Sequence, residues 1–66
     1  MSIANELVAV LNEAKANCID VQIKELGNGL IGCTCSVQTA TDYREVESLE
    51  SLVRYIKILV EDWRII

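Results

Sequence analysis

Apolar side chains recur every three or four residues near the start of the chain, with polar side chains between them. In the segment SIANELVAVLNEAKANC these side chains are Ile3, Leu7, Val10, Leu11 and Ala14. Such spacing is typical of an α-helix that buries one face. The hydroxyl of Ser2 can accept a hydrogen bond from an unpaired amide of the first turn. The pattern therefore predicts a helix that begins after Ser2 and ends near Ala16 or Asn17.

The period then changes to two residues, which is typical of half-buried β-strands. In CIDVQIKEL the alternation sets Ile19, Val21 and Ile23 against Asp20, Gln22 and Lys24. In LIGCTCSVQ it sets Ile31, Cys33, Cys35 and Val37 against Gly32, Thr34, Ser36 and Gln38. We therefore predict two strands, each with one apolar and one polar face.

The residues GNG between the two strands indicate a hairpin, and parity decides the length of its loop. A loop of two residues would place apolar Ile23 opposite polar Thr34, whereas a loop of three residues places Ile23 opposite Cys33. The remaining pairs then match as well: Val21 with Cys35, Ile19 with Val37, and Gln22 with Thr34. The third loop position needs a left-handed backbone, which Gly29 adopts readily. The sequence predicts a hairpin whose loop is residues 27–29.

Helical spacing returns in the last third of the chain. The apolar residues at this spacing are Tyr43, Val46, Leu49, Leu52, Val53, Ile56, Leu59, Val60 and Trp63. Asp42 and Glu45 match a capping box, so a single long helix from Asp42 ranks first. Ser48 offers a later start, which would leave DYREVE as a short third strand with poor alternation. Both alternatives stay open.

These elements predict one small α+β domain spanning residues 1–66, with a helix, an antiparallel β-hairpin and a long C-terminal helix in two layers. A chain of 66 residues is near the lower size limit for folding on a single core. Its hydrophobic share of 52% exceeds what so small an interior can hold. We therefore expect a homodimer, or a surface that binds a partner.

The charge of the chain argues against nucleic acid as the natural partner. The formal net charge is −4 and the six basic residues are scattered, whereas binding to a phosphate backbone relies on several clustered Lys or Arg side chains. The element order, with two or three strands, resembles that of double-stranded RNA-binding domains. Those domains contact phosphates through a lysine-rich entry to the last helix, where this chain has TDYREVES. The resemblance is therefore of element order alone and does not carry the RNA-binding activity over, and a nucleic-acid-associated module is kept as the alternative interpretation.

The sequence carries no membrane-spanning apolar run and no secretory signal pattern, so we expect a cytoplasmic protein without membrane association. A zinc site needs four ligands, and the chain has three cysteines and no histidine. We interpret Cys33 and Cys35 as buried core thiols, with a thiol- or metal-sensing role as a further alternative. Without histidine, no nucleophile and base can be assembled, so we predict no enzyme activity and no cofactor.

Three groups of residues are candidates for binding a partner. The first is the polar sheet face, formed by Asp20, Gln22, Lys24, Thr34, Ser36 and Gln38. The second is on the last helix, where Tyr55 and Ile58 lie outside the main apolar seam, as do Ile65 and Ile66, and where Trp63 lies close to the end of the chain. The third is an acidic group, which mimics nucleic-acid phosphates, docks a basic partner or complements the macrodipole of a helix at its N-terminus: Asp42, Glu45, Glu47 and Glu50.

Short acidic chains without catalytic groups are typical of regulators and inhibitors carried by phages and mobile elements. The sequence therefore predicts a homodimeric regulator or inhibitor that binds another protein. A sheet of two or three strands leaves at least one edge open to strand addition, from a second subunit or from a partner peptide.

Overall fold

A computed structural model describes residues 2–63 as two helices and three strands. In chain order these are α1 (Ile3–Ala16), β1 (Asp20–Glu25), β2 (Ile31–Val37), β3 (Ala40–Val46) and α2 (Leu49–Trp63). The strands form one antiparallel sheet in the order β1-β2-β3. The α+β class is confirmed, and the sheet has three strands.

Helix α1 begins and ends where the apolar spacing predicts. Ser2 is the N-cap, and its hydroxyl accepts a hydrogen bond from the Asn5 amide at 3.3 Å. After Ala16 the chain turns through Cys18, which has a left-handed backbone with φ 61°. The Ile19 amide then donates to the Ala14 carbonyl at 2.9 Å. This turn brings β1 back under α1.

The predicted hairpin register is confirmed for Val21, Gln22 and Ile23, whereas the predicted pair of Ile19 with Val37 is not part of the ladder, because β1 begins at Asp20. Ile23 pairs with Cys33 across β1 and β2, and the Leu26 amide donates to the Leu30 carbonyl at 3.0 Å, which closes a loop of three residues. Gly29 has the expected left-handed backbone, with φ 83°. Gly27 is also left-handed, with φ 80°, a feature that parity alone does not predict.

The single long helix from Asp42 is wrong, and the later start at Ser48 is correct. Residues 40–46 form β3, and the Ser48 hydroxyl accepts a hydrogen bond from the Ser51 amide at 3.2 Å at the start of α2. As strand residues, Val46 lies opposite Ile31 in the core, while Tyr43 is on the other face and is 53% exposed. The backbone N–H and C=O groups that a helix starting at Asp42 would have paired internally are thus paired with β2 instead.

The core lies between the two helices and one face of the sheet. Its buried members are Val10, Ala14, Ile19, Cys33, Cys35, Val46, Leu52, Tyr55, Ile56 and Val60. Cys33 and Cys35 share the face of the sheet on which α1 packs against β1 and α2 packs against β2 and β3, and no helix covers the other face within residues 2–63. No helix among residues 2–63 is long and apolar enough to cross a membrane.

Candidate functional site at the sheet edges

Both outer strands of the sheet pair on one side only within residues 2–63, so the sheet has two free edges. In an antiparallel ladder, hydrogen-bonded and non-bonded pairs alternate along each strand. The Leu26 to Leu30 bond belongs to this ladder, so the backbone groups of Val21, Ile23 and Glu25 point away from β2. These groups form the outer edge of β1.

The same alternation defines the outer edge of β3. Residues 32, 34 and 36 of β2 point their backbone groups at β1, so residues 33 and 35 point theirs at β3. The N–H and C=O groups of Thr41, Tyr43 and Glu45 therefore point outward. An extended chain can pair with either edge.

A cleft of about 330 Å³ separates β3 from α2, beside the β3 edge. Its charged side chains are Arg44 from β3, Arg54 from α2, and Asp42. The Tyr55 hydroxyl donates a hydrogen bond of 2.5 Å to the Asp42 carboxylate. The Arg44 guanidinium lies over the Tyr55 ring, with Cζ 5.4 Å from the ring centroid. Tyr55 thus joins the helix to the strand and supports Arg44 by a cation–π contact.

Burial, and then the hydrogen bond to Asp42, raise the pKa of Tyr55 well above its ordinary value. The phenol therefore stays protonated at neutral pH and keeps its role as the donor. The phenol is neutral and does not cancel the charge of the carboxylate, so the lining of the cleft holds two guanidinium groups and one carboxylate. In a chain of net charge −4, the lining of this cleft therefore has a small excess of positive charge.

Aliphatic side chains complete the cleft. Ile58 and Leu59 line it from α2, and Val46 lines it from β3. Ile58 is 54% exposed, whereas Val46 is buried. The cleft therefore offers cationic and aliphatic contacts next to a row of free backbone groups.

The edge of β1 has a different flank. Ile23, on the helix-facing side of β1, is 42% exposed. Val8, Leu11 and Lys15 follow one stripe of α1 at i, i+3 and i+7, and Leu11 and Lys15 line a groove with Val21. Val8 is 56% exposed. This edge is bordered mainly by aliphatic side chains.

The residues predicted for the polar sheet face are largely brought together. Asp20, Gln22 and Lys24 on β1 share the open face with Thr34 and Ser36 on β2. Gln38 is an exception because β2 ends at Val37, so Gln38 lies in the turn before β3. There it lines a separate cleft together with Cys18 and Trp63.

Tyr43 also belongs to the open face, next to Gly32, although the sequence analysis placed Tyr43 in a helix. A Cβ on Gly32 would lie 2.8 Å from the Tyr43 hydroxyl oxygen, so the tyrosine covers the glycine. The Tyr43 hydroxyl donates to the Glu45 carboxylate at 3.0 Å. That hydrogen bond is the chief cause of a raised pKa at Tyr43.

The four predicted acidic residues do not form one patch. Asp42 and Glu45 lie on opposite faces of β3, the first against Tyr55 and the second against Tyr43. Only Glu50 lies in the first turn of α2, and Glu47 lies in the link before it. The expectation that all four acids surround a helix N-terminus is therefore wrong, because β3 occupies that part of the chain.

The apolar residues of α2 that were predicted to bind a partner have three different environments. Tyr55 is 8% exposed and belongs to the core, because β3 covers it; its assignment outside the seam is wrong. Trp63 is half-buried and packs against the core, whereas Ile58 is exposed. Ile65 and Ile66 lie outside the described residues.

The cysteines of β2 are part of the core. Cys33 and Cys35 are fully buried, and their sulfur atoms lie 3.9 Å apart. Burial is the main cause that raises the pKa of Cys33 to about 12, and it also raises the pKa of Cys35. Cys18 is exposed. Within residues 2–63, no cluster of three or more Cys, Asp or Glu side chains is arranged to hold a metal ion.

Sequence reasoning missed Arg44 and Arg54 as site residues. Arg44 joins the cleft only because β3 is a strand, and the signal for that strand was the second possible helix start at Ser48. Comparison of the chain with models of known protein families, with curated proteins and with solved structures finds no match.

Proposed function

We propose that this protein is a homodimeric regulator that binds another protein through the β3 edge and the adjoining cleft. The occupant is an extended segment of the target that carries an acidic side chain and an aliphatic one. The observation that carries the proposal is the combination of a free strand edge with two arginines in the cleft beside it.

Backbone hydrogen bonds to the added strand supply the part of the binding affinity that does not depend on the sequence of the target. The outward N–H and C=O groups of Thr41, Tyr43 and Glu45 match the spacing of an incoming strand. Because side chains of that strand alternate between faces, every second one points toward α2 and the cleft. The cleft then selects which side chains are accepted.

Arg44 and Arg54 favour a carboxylate at one of those positions. A guanidinium presents several donors in a fixed plane and binds a carboxylate through two hydrogen bonds. Arg44 is held against the Tyr55 ring, so less side-chain freedom is lost when it binds. Ile58 and Leu59 provide an aliphatic surface for a neighbouring side chain of the target.

The homodimer is supported by size and by the distribution of apolar side chains. Within residues 2–63, ten hydrophobic residues are buried in the core, and Val8 and Ile23 remain exposed around the β1 edge. A domain this small gains stability from burying further apolar surface against a second copy. The β3 edge stays free for the target.

Panning a displayed library of random ten-residue peptides on the purified protein tests the target site. We expect enriched peptides that combine Asp or Glu with aliphatic residues. Arg44→Gln and Arg54→Gln should each weaken a selected peptide about tenfold, because each removes charge-assisted hydrogen bonds. Lys57→Gln is the matched control, since it removes the same charge from α2 outside the cleft lining.

Thr41→Pro tests strand addition separately, because proline removes an outward N–H and is tolerated on an edge strand. We expect it to weaken the peptide, while Thr41→Val retains binding. The proposal is contradicted if no peptides are enriched or if the enriched peptides lack acidic residues. It is also contradicted if Arg44→Gln and Arg54→Gln leave peptide binding unchanged. Tight, salt-dependent binding of a 20-base-pair RNA duplex through these arginines would instead favour the nucleic-acid interpretation.

A further inference from the structure

The sequence of β1 is complementary to itself when read in the opposite direction. Asp20, Val21, Gln22, Ile23 and Lys24 place an acid and a base at equal distances from Gln22, with an aliphatic residue on each side of it. We propose that two copies of the chain pair through their β1 edges, antiparallel, about a twofold axis at Gln22. This inference specifies the interface of the homodimer in the proposed function and rests on it.

The twofold axis at Gln22 matches every cross-strand pair. Asp20 of each copy lies opposite Lys24 of the other, on the open face of the sheet. Val21 lies opposite Ile23 on the helix-facing side, and Gln22 lies opposite its own copy. Opposite charges and paired aliphatic residues are the favourable combinations across an antiparallel pair. A twofold axis at Ile23 would instead place Val21 opposite Glu25.

The backbone of β1 permits the same register. The N–H and C=O groups of Val21 and Ile23 point away from β2 and so face the second copy. In the proposed register these two residues lie opposite each other and exchange both hydrogen bonds, twice per dimer. The two sheets then form one continuous sheet of six strands, in which only the β3 edges remain free.

A second copy would also cover the exposed apolar side chains beside the β1 edge. The exposed Ile23 side chain is covered by Val21 of the other copy when the strands pair. Val8 lies on the stripe of α1 that faces this edge, so the two α1 helices approach each other there. The contact is isologous and closes on itself, which gives a dimer and not a fibre.

Charge reversal tests the pairing. Asp20→Lys sets two lysine side chains opposite each other at both charge pairs of the dimer, and Lys24→Asp sets two acids opposite each other in the same way. Each variant should dimerise about thirtyfold more weakly by sedimentation equilibrium, since two favourable pairs become unfavourable. In an equimolar mixture of the two variants, the heterodimer has a lysine opposite an aspartate at both charge pairs. The mixture should therefore associate more tightly than either variant alone. Lys57→Asp is the control, because it reverses a charge at an exposed position of α2, away from β1.

The outcomes separate this inference from the proposed function. If the wild type dimerises but neither single variant weakens the dimer, the β1 interface is wrong and another dimer interface is needed. The same holds if the mixture associates no more tightly than the single variants. A wild-type chain that stays monomeric at millimolar concentration overturns the homodimer itself. Neither result bears on peptide binding at the β3 edge, which the Arg44→Gln and Arg54→Gln variants test.

Disulfide cross-linking reports the register directly, in a Cys18→Ser background that removes the exposed native thiol. Gln22→Cys should form a linked dimer on oxidation. The two copies of residue 22 form a non-hydrogen-bonded pair, in which the Cα atoms lie about 4.5 Å apart, within reach of a disulfide. Asp20→Cys and Lys24→Cys should each stay unlinked alone and link when mixed. Self-linking of either of these two, or no linking of Gln22→Cys, would contradict the register. Circular dichroism confirms that each variant is folded.

Discussion

The buried thiol of Cys33 should make the fold less stable at alkaline pH. The side chain is fully buried, and burial is the first cause that raises its pKa from 9.0 to about 12, with smaller contributions from Cys35 and Asp42. The folded state therefore holds the thiol proton more tightly than the unfolded state. This stabilisation is complete below pH 9 and is lost as the pH rises through 12.

The size of the effect follows from the difference between the two pKa values. Each pH unit above 9.0 favours the unfolded thiolate by about 1.4 kcal/mol, as long as the folded thiol stays protonated. At about pH 11 the expected loss of unfolding free energy from Cys33 alone is about 2.5 kcal/mol. Cys33→Ala removes this contribution and leaves the rest of the alkaline response in place.

Urea unfolding, followed by circular dichroism at about pH 8 and about pH 11, measures the difference between the wild type and Cys33→Ala. At the lower pH the variant should be less stable by roughly 1 to 2 kcal/mol, because alanine leaves a small cavity in the core. At the higher pH this deficit should vanish or reverse. Cys18→Ala is the matched control, since its thiol is exposed. An equal deficit at both pH values would refute the argument from burial.

Three further predictions concern single side chains. Tyr55→Phe removes the donor to Asp42 and should lower the unfolding free energy by about 1 to 2 kcal/mol in urea; unchanged stability would contradict the hydrogen bond. In the native protein, a disulfide reagent should modify Cys18 quickly and the two strand cysteines only at the rate of unfolding; three fast thiols would contradict their burial. Gly29→Ala should lower the unfolding free energy by about 1 kcal/mol, since φ is 83°, and Gly29→Asn should lower it less; an unchanged melting temperature in the alanine variant counts against the loop assignment.

Local patterns were sufficient to predict α1 and the hairpin. Ser2 and the apolar spacing define the helix without reference to other elements. The register follows from parity, because a shift of one residue would expose Cys33 and bury Thr34. Both arguments use only residues that are close in sequence.

The third strand and the cleft could not be predicted in the same way. On its helix-facing side β3 carries Asp42 and Arg44 near the sheet edge, so its polarity does not alternate. Tyr43 and Val46 are three residues apart and therefore imitate helical spacing, although they lie on opposite faces. The arrangement of Arg44 over Tyr55 depends on how α2 packs against β3, which no local pattern encodes.

Amide hydrogen exchange at residue resolution, measured above and below the dimer dissociation constant, tests the central claim most directly. The amides of Val21 and Ile23 should be protected at high concentration and exchange quickly on dilution, because they bond only to the second copy. The amides of Tyr43 and Glu45 should exchange quickly at both concentrations in the absence of a target. Fast exchange of Val21 and Ile23 in the concentrated sample would contradict pairing through β1.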